Sequence, residues 1–234
     1  MAQGRKIRYG RLRQPARRVL LFLAGLAIFP FLLQAEPGPS LRELIKGLEN
    51  SYSDVRTLEA QFIQKLNSGG GRVRVEKGKL YMARGGRMRW EYREPEEKYF
   101  IADNERTYLY VPSERLVTKS AAKRSGDVRI PFQLLLQRPK LNRIFAKVEL
   151  LEGEELLDPE NFLLRCIPKG KRPGYRQVLL EVTPAFDIRR IVLHYPGGHV
   201  MEFQFSHLRR NIPIADSRFR FVPPKGSRVI EEAP

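Results

Sequence analysis

The stretch from Gly78 to Pro112, GKLYMARGGRMRWEYREPEEKYFIADNERTYLYVP, restricts the fold more than any other part of the chain. Large apolar or aromatic residues alternate there with Arg, Lys or Glu in three or four short runs, each ending at a turn signal. The clearest run sets Met88, Trp90 and Tyr92 against Arg87, Arg89, Glu91 and Arg93. A period of two places these sets on opposite faces of a strand, one toward an apolar interior and one toward water. Glu94-Pro95 and Asp103-Asn104 interrupt the runs, so neighbouring strands form an antiparallel meander with tight turns. Such a sheet suits a container for something apolar better than a catalyst.

The same period governs most of the chain. Leu58, Ala60 and Phe62 alternate with Glu59 and Gln61, SGGG marks a turn at 68–71, and Gly78 predicts a bulge or bend in the next run. Further strands are expected in FLLRCIP, QVLLEV, IRRIVLHYP, HVMEFQFSHL and SRFRFVPP, the last with Phe219 and Phe221 facing inward. Pro196-Gly197-Gly198 joins two of them as a hairpin. A sheet of about ten strands tends to curl.

Two helical pieces interrupt this pattern. Ser40 and Glu43 match a capping box, and Leu41, Leu44, Ile45, Leu48 and Tyr52 form a narrow apolar stripe behind it. Gly47 costs this helix about 1 kcal/mol relative to alanine, so the helix depends on docking and could also come away. A second, almost uniformly apolar helix opens at Pro131 and carries Phe132, Leu134, Leu135 and Leu136. The fold class expected is mainly β with helices: a curved antiparallel sheet forming an incomplete, half β-barrel covered by an α-helical lid.

Arg5, Lys6, Arg8, Arg11, Arg13, Arg17 and Arg18 precede an apolar run from Val19 to Leu33, with no acid among them. That run is shorter than the roughly 20 residues a spanning helix needs, and Ala35 suits the position before a cleavage site. The expectation is a signal peptide over 1–35 and one exported, soluble domain over 36–234, with a retained anchor as the alternative. Removing seven basic residues from a net charge of +17 leaves +10. That charge favours anionic partners, an anionic membrane surface among them. Cys166 is the only cysteine, so no intramolecular disulfide can form.

Catalytic signatures are missing from the sequence: no nucleophile elbow, zincin helix, P-loop or dinucleotide fingerprint occurs. His194, His199 and His207 lie near one hairpin without an evident carboxylate or third convergent ligand, so no metal is assigned. Cys166, inside an apolar strand, reads as a small core residue, and the carboxylates read as cross-strand ion-pair partners. Arginines and aromatics interleave as in single-strand nucleic-acid binders, but alternation puts them on opposite faces, and no nucleic acid is expected.

Several features taken in order resemble the outer-membrane lipoprotein carrier family, the LolA-type periplasmic chaperones. They are Phe62-x-Gln64, Gly78-x-Leu80 before Arg84, Arg89-Trp90-Glu91-Tyr92, Pro95, the stretch Asp103 to Tyr110, Ile130-Pro131-Phe132, and Phe219-x-Phe221-x-Pro223-Pro224-x-Gly226. The resemblance covers about residues 40–230 and rests on order and spacing rather than one motif. It implies a periplasmic carrier, not an enzyme and without cofactors, that shields the acyl chains of lipoproteins between the inner and outer membranes.

Acylated lipoproteins are then the cargo. An inner-membrane lipoprotein-release transporter and an outer-membrane acceptor are the further partners, and the carrier is expected as a monomer. The family's lid-latching arginine falls on Arg84, although Gly85-Gly86 follow it where the family usually has proline, and Met88 stands for a cavity phenylalanine. The cavity walls are expected to be Phe62, Leu80, Met82, Met88, Trp90, Leu109, Phe203 and Phe205. Leu44, Ile45, Leu48, Phe132 and Leu135 are expected on the lid's underside. An envelope sensor or acceptor module of the same fold, and a carrier of another lipid such as a glycolipid, are the alternatives.

Overall fold

Two antiparallel meanders meet along one central seam. In the computed structural model, which describes residues 38–232 except 104, 122–131, 133–139 and 171–173, helix α1 (Leu41–Ser53) precedes the first meander. That meander comprises β1 (Thr57–Asn67), β2 (Val73–Ala83), β3 (Arg87–Glu94), β4 (Lys98–Ala102), β5 (Arg106–Val111) and β6 (Leu116–Ala121). A four-residue helix α2 (Leu141–Ile144) leads into the second: β7 (Phe145–Leu151), β8 (Phe162–Pro168), β9 (Gln177–Val182), β10 (Ile188–His194) and β11 (Val200–Arg210). β1 pairs with β11, and the closing strand β12 (Arg228–Glu231) lies parallel to β6. Among the described residues the result is one open sheet of 12 strands in the order β12-β6-β5-β4-β3-β2-β1-β11-β10-β9-β8-β7.

The concave face carries the main core. Leu44, Leu48 and Tyr52 of α1 are fully buried there, with Leu58, Leu80, Leu164, Leu180, Ile191 and Leu193 from the sheet. At about 1.5–3 kcal/mol for each large side chain removed from water, those three helix residues outweigh the cost of Gly47 several-fold. Gly47 has its own reason to be glycine. The ring of Phe186, on the turn before β10, lies across it so closely that an added Cβ would collide with the ring. A residue read as a weakness in the helix is thus a docking surface.

Gly78 plays a comparable part inside the sheet. The β2–β3 register slips between Lys77 and Gly78, and a Cβ at Gly78 would run into the carbonyl oxygen of Glu91. Over this bare backbone the rings of Phe62 and Tyr92 meet edge to face at 5.0 Å. The bend expected from the sequence is therefore also an aromatic contact.

The C-terminal segment differs from expectation. SRFRFVPP is not an inward-facing strand: Asp216–Phe219 form a 3-10 turn, and the chain then runs extended without ladder pairing. Phe219 is buried against Tyr81 and Ala83, and Phe221 packs 5.3 Å from Tyr108 and 5.7 Å from Tyr110. These partners alternate with the concave-face residues, so both phenylalanines cover the opposite, convex face. Arg218 stacks over Tyr81 at 4.2 Å and Arg87 pairs with Asp216 at 2.6 Å, fixing the crossing. The Arg-Phe alternation satisfies an extended segment lying on a sheet as well as a strand within one.

Of the second helical piece, Phe132 is described and helical, while Pro131 and Leu135 lie outside the described residues, as does the expected signal peptide. The described residues include no helix long and apolar enough to cross a membrane.

Candidate functional site

Strand pairing arranges the concave face into rows of graded polarity. Nearest the C-terminal end of α1, Leu58, Met82, Met88 and Ala102 lie side by side on β1 to β4. Ala60, Leu80, Trp90, Phe100 and Leu109 form the next row, and Phe62, Gly78, Tyr92 and Lys98 the one after it. The last pairs Gln64 with Glu76. Hydrocarbon at one end thus gives way to polar groups at the other, because every second residue along each strand changes type.

A cavity of about 290 Å³ lies over this face. Met88, Trp90, Phe100, Leu109, Met201 and Phe203 give it an apolar wall, and Gln64, Tyr92 and Lys98 form its polar end. Phe132 also lines it and is, among the described residues, the one lining member that does not come from a strand. Its ring meets Trp90 at 4.9 Å and Phe203 at 4.8 Å, both edge to face, and lies 6.5 Å from Phe205. Edge-to-face contacts of this kind are worth about 0.5–1.5 kcal/mol beyond area burial. Phe132 is 2% exposed and borders the cavity as a plug.

The residues named from the sequence divide here. Met88, Trp90, Leu109 and Phe203 stand on the cavity wall, with Leu109 38% exposed at its rim. Phe62, Leu80, Met82 and Phe205 are set in the packed core beside it. Leu44 and Leu48 are buried in that core and Ile45 packs partly against it. Phe100, Met201, Tyr92, Lys98 and Gln64 join the wall without having been expected there. Phe100 and Met201 lay on expected strands, but only the register shows which alternating residues share a row with Trp90 and Phe203.

Arg84, on the turn between β2 and β3, reaches the end of α1. Its Nη2 donates to the Ser53 carbonyl at 2.8 Å and its Nε to the Val55 carbonyl at 2.9 Å. The backbone N–H of Arg84 also donates to the Arg56 carbonyl at 2.9 Å. The last carbonyls of a helix lack intrahelical donors and carry the negative end of its dipole. Because α1 has no basic residue in its last turn, cations must come from elsewhere. Gly85 and Gly86 adopt φ of 83° and 79°, left-handed values closed to proline. They define the turn that carries Arg84.

A second cation holds the same helix end from β11. Arg210 donates to Ser51 Oγ at 3.0 Å, lies 4.4 Å over the Tyr52 ring, and is ion-paired with Asp187. The Tyr52 hydroxyl accepts from the Ile188 N–H at 3.0 Å, and burial raises its pKa against the opposing pull of Arg210.

At the polar end, the Tyr92 hydroxyl donates to Gln64 Oε1 at 2.9 Å, and Lys98 Nζ sits 4.3 Å over the Tyr92 ring. Lys98 Nζ also donates to Glu76 Oε1 at 2.7 Å, which Arg74 approaches at 2.7 Å from the outer side. Burial, reinforced by the Glu76 carboxylate, raises the pKa of Tyr92 and keeps it a neutral hydroxyl. Elsewhere, burial pushes the Cys166 thiol up to about 12, leaving no thiolate at neutral pH. Among the described residues, no group of three His, Cys, Asp or Glu side chains converges as a metal site requires.

An open half-barrel with a capped helix end and an aromatic-lined cavity is the class these features define. The model of the outer membrane lipoprotein carrier protein LolA family matches residues 53–222, and the chain belongs to this family. It is similar to the outer-membrane lipoprotein carrier protein of Methylobacillus flagellatus, 28% identical over 190 residues that cover 80% of this chain and 89% of the relative. The protein of the same description from Alkalilimnicola ehrlichii is 30% identical over 216 residues, covering 91% and 93%. An uncharacterized conserved protein from Thermus thermophilus shares the fold, with a TM-score of 0.50 at 14% identity over 83% of this chain and all of that one.

Proposed function

We propose that the protein is a periplasmic carrier that binds the acyl chains of lipoproteins in the cavity under Phe132 and ferries them from the inner to the outer membrane. The observation that carries this reading is an apolar, aromatic-lined cavity to which Phe132, from outside the sheet, adds a ring, in a member of the lipoprotein carrier family. Residues 1–35 would direct export and be removed. Each buried methylene is worth about 0.8 kcal/mol, so a polypeptide carrying several long chains cannot cross water unescorted.

With Phe132 in place the cavity is about 290 Å³ and Phe132 takes up part of its lining. Withdrawal of Phe132 enlarges the site at the cost of its three aromatic contacts, which offsets part of the gain from burying the chains. Binding is then strong enough for transit and weak enough for release. Arg84 acts as the latch: it holds the carbonyls at the end of α1 in the closed state, and opening breaks those bonds. No bond is made or broken in the cargo, so the role is a chaperone's, not an enzyme's.

An inner-membrane lipoprotein-release transporter would load the carrier and an outer-membrane acceptor would unload it. Mass spectrometry of the protein recovered under non-denaturing conditions from native envelopes tests the reading. Acylated polypeptide bound one to one is the expected result. Free glycolipid in its place, or no ligand after loading with lipoprotein, would overturn it.

A further inference from the structure

The cavity is not uniformly greasy, and its polar end is built. Gln64 and Glu76 are 8% and 5% exposed, on adjacent strands in one cross-strand pair. Tyr92 and Lys98 form the next pair along, on β3 and β4. Buried polar groups at the end of an apolar cavity are costly unless satisfied, and here the internal bonds use only part of their capacity. Gln64 Oε1 accepts from Tyr92, while its amide NH2 has no partner among the described residues. The Lys98 ammonium has three N–H donors; one serves Glu76 and the Tyr92 ring face takes a second. Both residues line the cavity. Among the described residues, donors therefore remain where the hydrocarbon wall stops, and the carboxylate of Glu76 is already occupied by Lys98 and Arg74.

We infer that Lys98 and Gln64 form a receptor for the carbonyl oxygens of ester- or amide-linked acyl chains, the point where hydrocarbon joins the polar part of the cargo. This rests on the carrier reading above and adds a polarity to it: chains lie toward Met88 and Trp90, with the linkage at Lys98. Tyr92 positions Gln64 by donating to its oxygen, which turns the amide N–H groups to the ligand. A carrier with such a site distinguishes acylated molecules from plain hydrocarbon, and it fixes the end from which the polypeptide leaves the cavity.

The test uses two synthetic lipopeptides, one with two palmitoyl ester chains and one with ether-linked alkyl chains of the same length, so that only the carbonyls differ. Affinities are measured by calorimetry for the wild-type protein and for Lys98→Met, Gln64→Leu and the double variant. The wild type is expected to bind the ester about tenfold more tightly than the ether, as a charge-assisted hydrogen bond supplies. Each single variant should reduce that ratio, and the double variant should bring it to about one. Because the ratio is taken within each variant, partial unfolding lowers both arms alike and does not mimic the result. Equal binding of both probes by the wild type, or a ratio preserved in the double variant, overturns the inference and leaves the carrier reading standing. Failure of the wild type to bind either probe overturns both.

Discussion

Phe186 lies directly across Gly47, so that the first helix meets the sheet where its own side chain is missing. Replacing Gly47 with alanine sets two effects against each other. Helix propensity gains about 1 kcal/mol, while the new Cβ forces the Phe186 ring aside and opens the contact. Phe186 itself has a φ of 61°, so its backbone has little freedom to follow. The docking loss is expected to win. Gly47→Ala should lower the unfolding midpoint in urea, and a raised midpoint would show that the contact contributes less than helix propensity.

Removal of the Arg84 guanidinium separates binding from closure. Arg84→Leu leaves every cavity wall residue in place but strips the donors from the Ser53 and Val55 carbonyls. Hydrogen bonds from a charged donor are worth about 1.5–3 kcal/mol, so the ratio of closed to open form should fall by at least a factor of about ten. Lipopeptide should still bind, and its release to acceptor vesicles should slow by a similar factor. Unchanged release kinetics would remove Arg84 from the mechanism.

Truncation of the plug should act in opposite directions on stability and affinity. Phe132→Ala removes a buried ring, at a cost of about 3–5 kcal/mol for such a change. The same change removes the contacts that cargo must displace, so lipopeptide should bind more tightly. Phe145, equally buried on β7 but off the cavity wall, serves as comparison. Phe145→Ala should destabilise without tightening binding. Calorimetric affinities and thermal midpoints of the two variants check this.

Alkaline pH should weaken the fold while neutral pH leaves it unchanged. Burial raises the pKa of Cys166 from 9.0 to about 12, and those of Tyr52 and Tyr92 above 10.0. A raised pKa in the folded state means that the folded protein holds its protons more tightly than the unfolded chain. That contribution is complete below the unfolded value and is lost as pH climbs through the folded one. For Cys166 the window runs from about pH 9 to about 12. Urea midpoints should be level from pH 7 to 8.5 and fall above pH 9, with a shallower fall in Cys166→Ala. An equal slope in both proteins would assign the loss to the tyrosines.

Much of the sheet could be read directly from the chain. Period-two alternation located β1 to β5 and β8 to β11, and the capping box of Ser40 and Glu43 placed the start of α1, where both reciprocal bonds are present. Alternation fails where two environments ask for the same pattern. Phe219 and Phe221 alternate with arginines as strand residues do, yet they lie on the convex face, which offers Tyr81, Tyr108 and Tyr110 as partners. β12 was missed because a parallel edge strand of Arg-Val-Ile-Glu has no turn signal binding it to β6. At the site, parity selected the right face but not the depth. Trp90 and Phe62 are both inward-facing aromatics, yet Trp90 lines the cavity while Phe62 is set in the packed core.

Whether acyl chains enter the space beneath Phe132 can be measured at one residue, because Trp90 is the only tryptophan in the chain and lines the cavity. Titration with a lipopeptide whose palmitoyl chains carry bromine near their midpoints should quench Trp90 emission saturably, at one lipopeptide per protein. An unbrominated lipopeptide should then restore the emission. Full binding by calorimetry with no quenching at Trp90 would place the chains elsewhere on the molecule and contradict the account.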